Sequence, residues 1–495
     1  MVSTARSGSP RPPWWRAALT EPARPAWVRA RPGAHWLVVA TVCVGAFMGQ
    51  LDASIVTVAF PTMQRDFAVP LGSVEWVALS YLLVLVSAVV GVGRLADMVG
   101  RKLLYTYGFV VFALASLGCG LAPSLTWLIV FRLVQALGAA MLQANSVALI
   151  ATSLPASILG RGIGVQGAFQ ALGLALGPTV GGLLIGLGGW RWIFFVNVPA
   201  GVIGVVSAWF LLPRSRGLAM RQPFDWSGLA LFVPVAAALL LALSLGRDVG
   251  FARPGILALF LVSAAALGGF IVWERHSVHP MVDLRLFGRM QFTAGIGSGF
   301  LSYAVLFGVL FVVPFLLERG LGMSTATAGL LLTVLPAALG LTSPFAGRLA
   351  DRVGARPLTV TGMILTAAGL GTMAVLPPTW PGLVVTLAVV GLGQGLFTAP
   401  NNAAIMAAAP RTSSGSAGGL LNMTRGIGTS MGVALAGVTL GQTATHGGAD
   451  TIGQGFTTTC VMLAALALVA AATTGLRGRP RRSPDGSGAA PETAG

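Results

Sequence analysis

Long apolar runs separated by short polar loops occupy most of the 495-residue chain. Each run has about twenty residues, the length that a helix needs to cross about 30 Å of hydrocarbon. The pattern therefore predicts fourteen membrane-spanning helices. Their expected positions are about 36–59, 76–95, 103–121, 125–148, 163–187, 193–212, 226–245, 254–273, 292–317, 326–346, 357–377, 382–405, 416–440 and 456–475.

Two of the polar loops nearly repeat each other. The sequence is GRLADMVGRK at residues 93–102 and GRLADRVGAR at residues 347–356, with seven of the ten positions identical. The first copy follows predicted span 2, and the second follows predicted span 10. The repeat therefore predicts an all-α integral membrane fold of two six-helix bundles related by pseudo-symmetry, with spans 7 and 8 inserted between them.

This division gives five segments along the chain. We expect a disordered cytoplasmic tail (1–34), an N-terminal six-helix bundle (35–213), two inserted spans with a cytoplasmic loop (214–291), a C-terminal six-helix bundle (292–476) and a second disordered cytoplasmic tail (477–495). Most basic residues fall in the tails and in the loops on their side. The positive-inside rule therefore predicts a multi-pass protein of the cell inner (plasma) membrane with both termini in the cytoplasm.

Composition excludes several classes of protein. Hydrophobic residues make up 55% of the chain and charged residues 9%, which excludes an ordinary soluble protein. The net charge of +17 comes from scattered arginines that form no continuous basic face, so nucleic acid is not an expected partner. The single lysine, Lys102, is not in a Walker loop. With no nucleophile–base set and no metal-ligand cluster in the sequence, we expect no enzyme activity, no cofactor and no metal.

Ionisable residues inside apolar spans are candidates for function, because a charge at the centre of a bilayer costs about 2.5–3.5 kcal/mol on insertion scales. Asp52 lies in span 1, Arg132 in span 4 and Arg425 in span 13. Gln135 shares a helix face with Arg132, and Asn422 lies near Arg425. We predict that these five side chains serve proton coupling or line a substrate cavity. A structural hydrogen bond is the alternative role for Asp52, and its pairing with Arg132 is left open.

Span 5 has a regular glycine pattern. Gly173, Gly177 and Gly181 recur every four residues and form one flat face, which Gly182 extends, and Pro178 removes a backbone hydrogen bond inside the span. Ordinary close packing of small residues would explain the glycines alone. The favoured interpretation is a kinked helix at the interface where two bundles rock against each other.

The repeated loops are predicted to form a cytoplasmic gate. Asp97 and Arg101 are four residues apart and can pair with each other or with nearby helix ends. A positive-inside topology signal would explain the arginines, but not the aspartate and glycines that both copies contain. The predicted gate residues are Gly93, Asp97, Gly100, Arg101, Gly347, Asp351, Gly354 and Arg356.

Several segments together resemble the major facilitator superfamily, and within it the fourteen-span drug:proton antiporters of multidrug and antibiotic efflux. Ala136 stands where a glycine is usual in the span 4 motif of that branch. The segments that carry the resemblance are 51–61, 93–102, 132–140, 173–182, 190–199 and 418–432.

The resemblance implies proton-coupled efflux of a hydrophobic or cationic drug, antibiotic or secondary metabolite by alternating access, with a small-molecule substrate, protons and the lipid bilayer as partners of a monomer. Asp52 and Arg132 would serve coupling, and Asp97 would lie near the positive N-terminal end of span 13. Two alternatives remain: an exporter or facilitator of a metabolite, lipid or amino acid, and a non-transporting membrane sensor. A sensor would have no use for intramembrane charges.

Overall fold

The computed structural model describes residues 21–215, 223–376, 379–444 and 449–475, and these residues form helices with no strand. The long helices are α1 (His35–Val58), α2 (Leu71–Val99), α3 (Arg101–Gly120), α4 (Leu125–Ser153), α5 (Leu159–Gly188), α6 (Asn197–Leu211), α7 (Trp226–Val249), α8 (Pro254–His276), α9 (Met290–Phe315), α10 (Thr325–Val353), α11 (Ala355–Val375), α12 (Trp380–Ala408), α13 (Ser414–Ala444) and α14 (Ala449–Gly475). The fold is therefore all-α, as the apolar pattern predicts.

Thirteen helical segments of the described residues are long and apolar enough to cross a membrane. The remaining predicted span lies in α13, which has 31 residues but carries polar side chains, among them Asn422, Thr424 and Arg425. Helix α13 packs against α2 and α4 as well as against α9. Its polar side chains can therefore be shielded from lipid by other helices.

The long helices form two bundles with the same internal packing. In the first bundle α1 packs against α5, α2 against α4 and α3 against α6; in the second, α9 packs against α13, α10 against α12 and α11 against α14. Between the bundles, α2 packs on α13 and α5 packs on α10. The second helix of each bundle thus packs on the fifth helix of the other bundle, in agreement with the pseudo-symmetry that the repeated loops predict.

The inserted helices α7 and α8 pack against each other, and α7 also packs on α2 and α13. The side chain of Leu229 in α7 lies against Gly91 of α2, where an added Cβ would come within 2.8 Å of its methyl group. Helix α7 therefore covers one side of the α2–α13 contact between the bundles.

The chain N-terminal to α1 differs from the prediction of a disordered tail through residue 34. The buried carboxylate of Glu21 accepts hydrogen bonds from the backbone N–H and the hydroxyl of Ser215, each at 2.6 Å. Lys102 Nζ donates to the carbonyl oxygens of Pro22 and Leu212, both at 2.9 Å. These partners order residues 21–34 against α3 and α6, whereas residues 1–20 and the predicted tail at 477–495 lie outside the described residues.

Candidate functional site

A fully buried carboxylate lies at the centre of the first bundle. Asp52 of α1 accepts a hydrogen bond at Oδ2 from Arg132 Nη1 of α4, at 2.7 Å. Its Oδ1 accepts from Gln135 Nε2 and from Asn197 Nδ2, both at 2.9 Å. The structure therefore joins Asp52 and Arg132 as an ion pair, the arrangement that the sequence left open.

Arg132 is satisfied from several directions although its side chain is only 1% exposed. Its Nη1 also donates to Gln135 Oε1 at 2.7 Å, and its Nε donates to the carbonyl oxygen of Val77 in α2 at 3.0 Å. The guanidinium carbon lies 4.1 Å from the ring centroid of Tyr81, within the range of a cation–π contact. The predicted helix face shared by Arg132 and Gln135 therefore points into the bundle.

Sequence reasoning missed three polar members of this cluster: Asn197, Ser116 and Tyr81. Gln135 Nε2 donates to Ser116 Oγ of α3 at 2.7 Å, so the network joins α1, α3, α4 and α6. The available signal for Asn197 was an amide at the start of an otherwise apolar helix. An uncharged side chain does not by itself signal an unfavourable burial, so the sequence identifies Asn197 only as part of the 190–199 motif.

The protonation state of Asp52 would determine whether Arg132 has a counter-ion. An unprotonated Asp52 neutralises Arg132, and the two charges are mutually compensated in a low-dielectric interior. Protonation of the carboxyl group would leave the guanidinium without its counter-ion, which is strongly unfavourable for a buried charge. A proton on Asp52 would therefore favour any rearrangement that gives Arg132 another partner or more water.

Arg132 also reaches the wall of a cavity between the bundles. The cavity has a volume of about 230 Å³ and is lined by α1, α2, α4, α5, α9 and α13. Two predicted residues of α13, Asn422 and Arg425, lie in its wall. Asn422 Nδ2 donates to the carbonyl oxygen of Gln143 in α4 at 2.9 Å, and so bridges the bundles.

The glycine face of α5 packs against α1 within the first bundle, although α5 itself also packs on α10 across the interface between the bundles. A Cβ on Gly173 would come 2.6 Å from the Phe47 carbonyl oxygen of α1, and one on Gly177 would collide with Ser54 of the same helix. A Cβ on Gly181 would come 2.8 Å from the side chain of Ile55, also in α1.

Gly182 and Pro178 of the α5 motif have different surroundings, and α5 contacts the second bundle through other glycines. An added Cβ at Gly182 would meet nothing within 4 Å. Pro178 lies inside α5, where its ring lines a second cavity of about 340 Å³. Helix α5 meets α10 of the second bundle through Gly160 and Gly164 instead.

The first repeated loop holds a charged contact across the bundles. Asp97 is buried, and its Oδ1 accepts from Arg101 Nη2 at 2.6 Å and from the Gly415 N–H at 2.9 Å. Its Oδ2 accepts from the backbone N–H of Ser416 at 3.0 Å and from that residue's hydroxyl at 3.1 Å. The carboxylate thus lies at the N-terminus of α13, where backbone N–H groups and the helix dipole favour a negative charge.

The second repeated loop forms the equivalent contact in the opposite direction. Asp351 of α10 accepts from the backbone N–H groups of Gly160 and Arg161 at the start of α5, at 2.8 and 3.0 Å. Partial burial disfavours the ionised form of this carboxylate, and the hydrogen bonds from the two N–H groups offset that cost. Arg356 does not pair with Asp351; its guanidinium donates to the carbonyl oxygen of Gly475 in the same bundle.

Glycines of both loops permit the close approach. A Cβ on Gly93 would collide with the backbone of Gly415, and one on Gly347 would collide with the backbone of Gly160. Gly100 and Gly354 follow α2 and α10 with φ of +120° and +87°, a region that favours glycine.

We call the end of the molecule that carries both repeated loops the loop end. There the bundles touch backbone to backbone through Gly93 and Gly347, and Asp97 is buried. Towards the other end, Ala53 and Thr57 line the second cavity and are exposed. The molecule is therefore closed at the loop end and open at the opposite end.

Comparisons with known proteins agree with this architecture. The family profile of the Major Facilitator Superfamily matches residues 42–280 and 295–494. The riboflavin transporter RibZ of Clostridioides difficile (strain 630) is 34% identical over 83% of this chain and 89% of its own length. The tetracenomycin C resistance and export protein of Streptomyces glaucescens is 31% identical over 83% of this chain and 76% of its own.

A solved structure shows the same fold at low sequence identity. The human organic anion transporter MFSD10 (TETRAN) aligns with a TM-score of 0.64 and 15% identity, over 90% of this chain and 100% of that one. At this identity the likeness concerns the fold alone.

Proposed function

The chain belongs to the major facilitator superfamily and is a multi-pass membrane transporter with antibiotic-export relatives, and we propose that it is a proton-coupled exporter of hydrophobic small molecules. The export of tetracenomycin C by a relative that aligns with 83% of the chain supports the direction of transport. The proposal extends to antibiotics and secondary metabolites as the class of cargo.

The observation that carries the proposal is the Asp52–Arg132 ion pair at the wall of the cavity between the bundles. Asp52 is completely buried, and Arg132 contributes to the cavity wall. A carboxylate that exchanges a proton here changes the net charge of a site next to the cargo. Cargo binding in the cavity therefore depends on whether Asp52 carries a proton, which is a requirement for proton-coupled transport.

Alternating access follows from the two ends of the interface. With the loop end closed, the cavity faces the opposite side; breaking the contacts of Asp97 and Asp351 would open the loop end. We propose that the loop end is cytoplasmic, because basic residues concentrate in its loops. The proton would then enter Asp52 from outside as cargo leaves, and would be released to the cytoplasm after the bundles rock.

The test is proton release from acid-loaded inverted membrane vesicles on addition of tetracenomycin C, riboflavin and a panel of lipophilic dyes. We expect wild-type vesicles to release protons with at least one compound. Asp52→Asn should lower that flux at least tenfold, because an amide cannot take up and release the transported proton. Riboflavin is included because it is the cargo named for the relative RibZ.

Asp66→Asn is the matched control. Asp66 pairs with Arg191 at 2.9 Å on the surface of the protein, outside the cavity, so this variant should keep the wild-type flux. Flux that survives Asp52→Asn would move the coupling site elsewhere, and a wild type that responds to no compound would contradict proton-coupled export.

A metabolite carrier is the second candidate, favoured by the similarity to RibZ. Such a carrier would exchange labelled for unlabelled riboflavin across vesicles without a pH gradient. The exporter proposal instead expects net movement of cargo against its concentration gradient when a pH difference or a membrane potential is imposed.

A further inference from the structure

The two cavities described above, one of about 230 Å³ and one of about 340 Å³, have no acidic side chain in their described walls. The cavities share Ala53, Ser54, Leu174 and Phe307, so they form neighbouring compartments. Any counter-charge for a cationic cargo would have to come from a group behind the wall.

Asp52 is not available for that purpose. Its carboxylate is 0% exposed, and Arg132, Gln135 and Asn197 donate hydrogen bonds to both of its oxygens. Of the ion pair, only Arg132 lies in the cavity wall. Arg132 therefore lies nearer to the cavity than Asp52 does.

Arg425 adds a second positive charge to the same wall, and it is only partly buried. Within the part of the chain that the structure describes, Arg425 has no carboxylate within salt-bridge distance. Its guanidinium carbon lies 5.3 Å from the ring centroid of Tyr303. This contact holds the side chain but does not neutralise it.

The rest of the wall suits an apolar, ring-containing body. Phe307 and Leu174 line both compartments, Tyr81 and Leu82 line the first, and Phe311 lines the second. Sites for drug-sized ligands are clefts of about 300–1,000 Å³ with mostly apolar walls and a few placed polar groups. The cavity pair has this composition, with Arg425 as its uncompensated polar group.

From this geometry we infer that the cargo is an amphipathic organic anion whose acidic group pairs with Arg425 while its ring system packs against Phe307 and Tyr81. The inference rests on the proposed transport function, and it replaces the sequence-based expectation of cationic cargo. A guanidinium forms charge-assisted, often bidentate hydrogen bonds with carboxylate and related anions. A cation at the same place would lie beside Arg425, with no carboxylate in the described cavity wall.

Two xanthene dyes of similar shape and opposite charge test the inference: fluorescein, an anion at neutral pH, and rhodamine 123, a cation. Binding to the purified full-length protein in phosphatidylcholine nanodiscs is measured by fluorescence anisotropy, which requires no transport. We expect fluorescein to bind at least tenfold more tightly than rhodamine 123. Arg425→Gln should weaken fluorescein binding about ten- to one-hundredfold, as expected for loss of a charge-assisted hydrogen bond.

Two further variants separate loss of the charge from loss of the fold. Arg425→Glu should reverse the preference to rhodamine 123, a gain that a misfolded protein would not show. Arg253→Gln, which removes an exposed arginine outside the cavity, should bind both dyes as the wild type does.

The inference is overturned if rhodamine 123 binds more tightly to the wild type, if Arg425→Gln leaves fluorescein binding unchanged, or if neither dye binds. These results are distinct from failure of the proposed function. Fluorescein that binds as expected but evokes no proton flux in vesicles would contradict proton-coupled export while leaving the anion site in place. Proton-coupled export of rhodamine 123 alone would support the proposed function and contradict the anion site.

Discussion

At the scale of single residues, the first bundle places two opposite charges where neither is favourable alone. Asp52 and Arg132 are 0% and 1% exposed and lie 2.7 Å apart. Their attraction offsets much of the cost of removing both from water, but a lone member would keep the full cost. The pair is therefore expected to behave as a unit in stability as well as in transport.

This gives a prediction for the folded state. Arg132→Gln should destabilise the purified protein by about 3–5 kcal/mol, because it leaves a buried carboxylate without its counter-ion. The double variant Asp52→Asn/Arg132→Gln should recover most of that loss, since both charges are then removed. The measurement is the midpoint of thermal unfolding in one detergent for the wild type, both single variants and the double variant. If the double variant loses as much stability as the two single variants together, the two residues do not stabilise each other.

Sequence reasoning found the charged members of this site and missed some neutral ones. Asp52, Arg132 and Arg425 were identified because a charge in an apolar span is costly wherever the span packs. Their pairing could not be predicted, since Asp52 and Arg132 are 80 positions apart and meet only when α1 packs beside α4. Asn197 has no such cost to reveal it, and only the position of α6 brings it to Asp52.

At the scale of helices, backbone contacts at the loop end decide which side of the molecule is closed. The backbone of Gly347 in α10 touches that of Gly160 in α5, with no room for a Cβ. Rotation of a side chain cannot relieve a collision between a Cβ and a backbone oxygen. A methyl group at this position should therefore separate α5 from α10.

We accordingly expect Gly347→Ala to shift the population towards molecules that are open at the loop end. Ser343 of α10 is fully buried against Gly164 of α5, so Ser343→Cys reports that opening. In the Gly347→Ala background, a water-soluble maleimide should label this cysteine several-fold faster than in the parent. The three native cysteines, Cys43, Cys119 and Cys460, are buried and should give little background.

Gly182→Ala is the control on α5, because a Cβ there would meet nothing within 4 Å. It should leave the labelling rate of the introduced cysteine unchanged. Equal rates in the Gly347→Ala background and in the parent would indicate that the closed contact tolerates the methyl group.

The helices themselves were well predicted from sequence, and their neighbours were not. Span positions follow from the length of apolar runs, which is a local property. The partner of the glycine face on α5 depends on how helices pack, and that face meets α1 within its own bundle. Likewise, residues 21–34 contain no apolar run, and their order comes from distant partners such as Ser215. Contacts of this kind leave no periodic signal.

At the scale of the whole molecule, the two bundles pack their helices in the same way but contain different charged residues. The first contains the buried ion pair of Asp52 and Arg132, and the second contributes Arg425 to the shared cavity. Of the acidic residues in the described spans, Asp52 alone adjoins this cavity through an ion-paired partner. We propose that the exchange is one proton on Asp52 against one cargo molecule beside Arg425.

This stoichiometry predicts the response of transport to membrane voltage. Proton entry and anion exit both move positive charge inward, so their effects add, whereas proton entry against exit of a monovalent cation moves no net charge. Each charge moved across the membrane is worth about 2.3 kcal/mol per 100 mV.

In proteoliposomes with equal pH on both sides, an interior-negative potassium diffusion potential set with valinomycin should accelerate wild-type efflux of fluorescein. Efflux that is indifferent to the potential would contradict exchange of a proton for an anion. Arg253→Gln should respond as the wild type does, because its substitution lies outside the cavity.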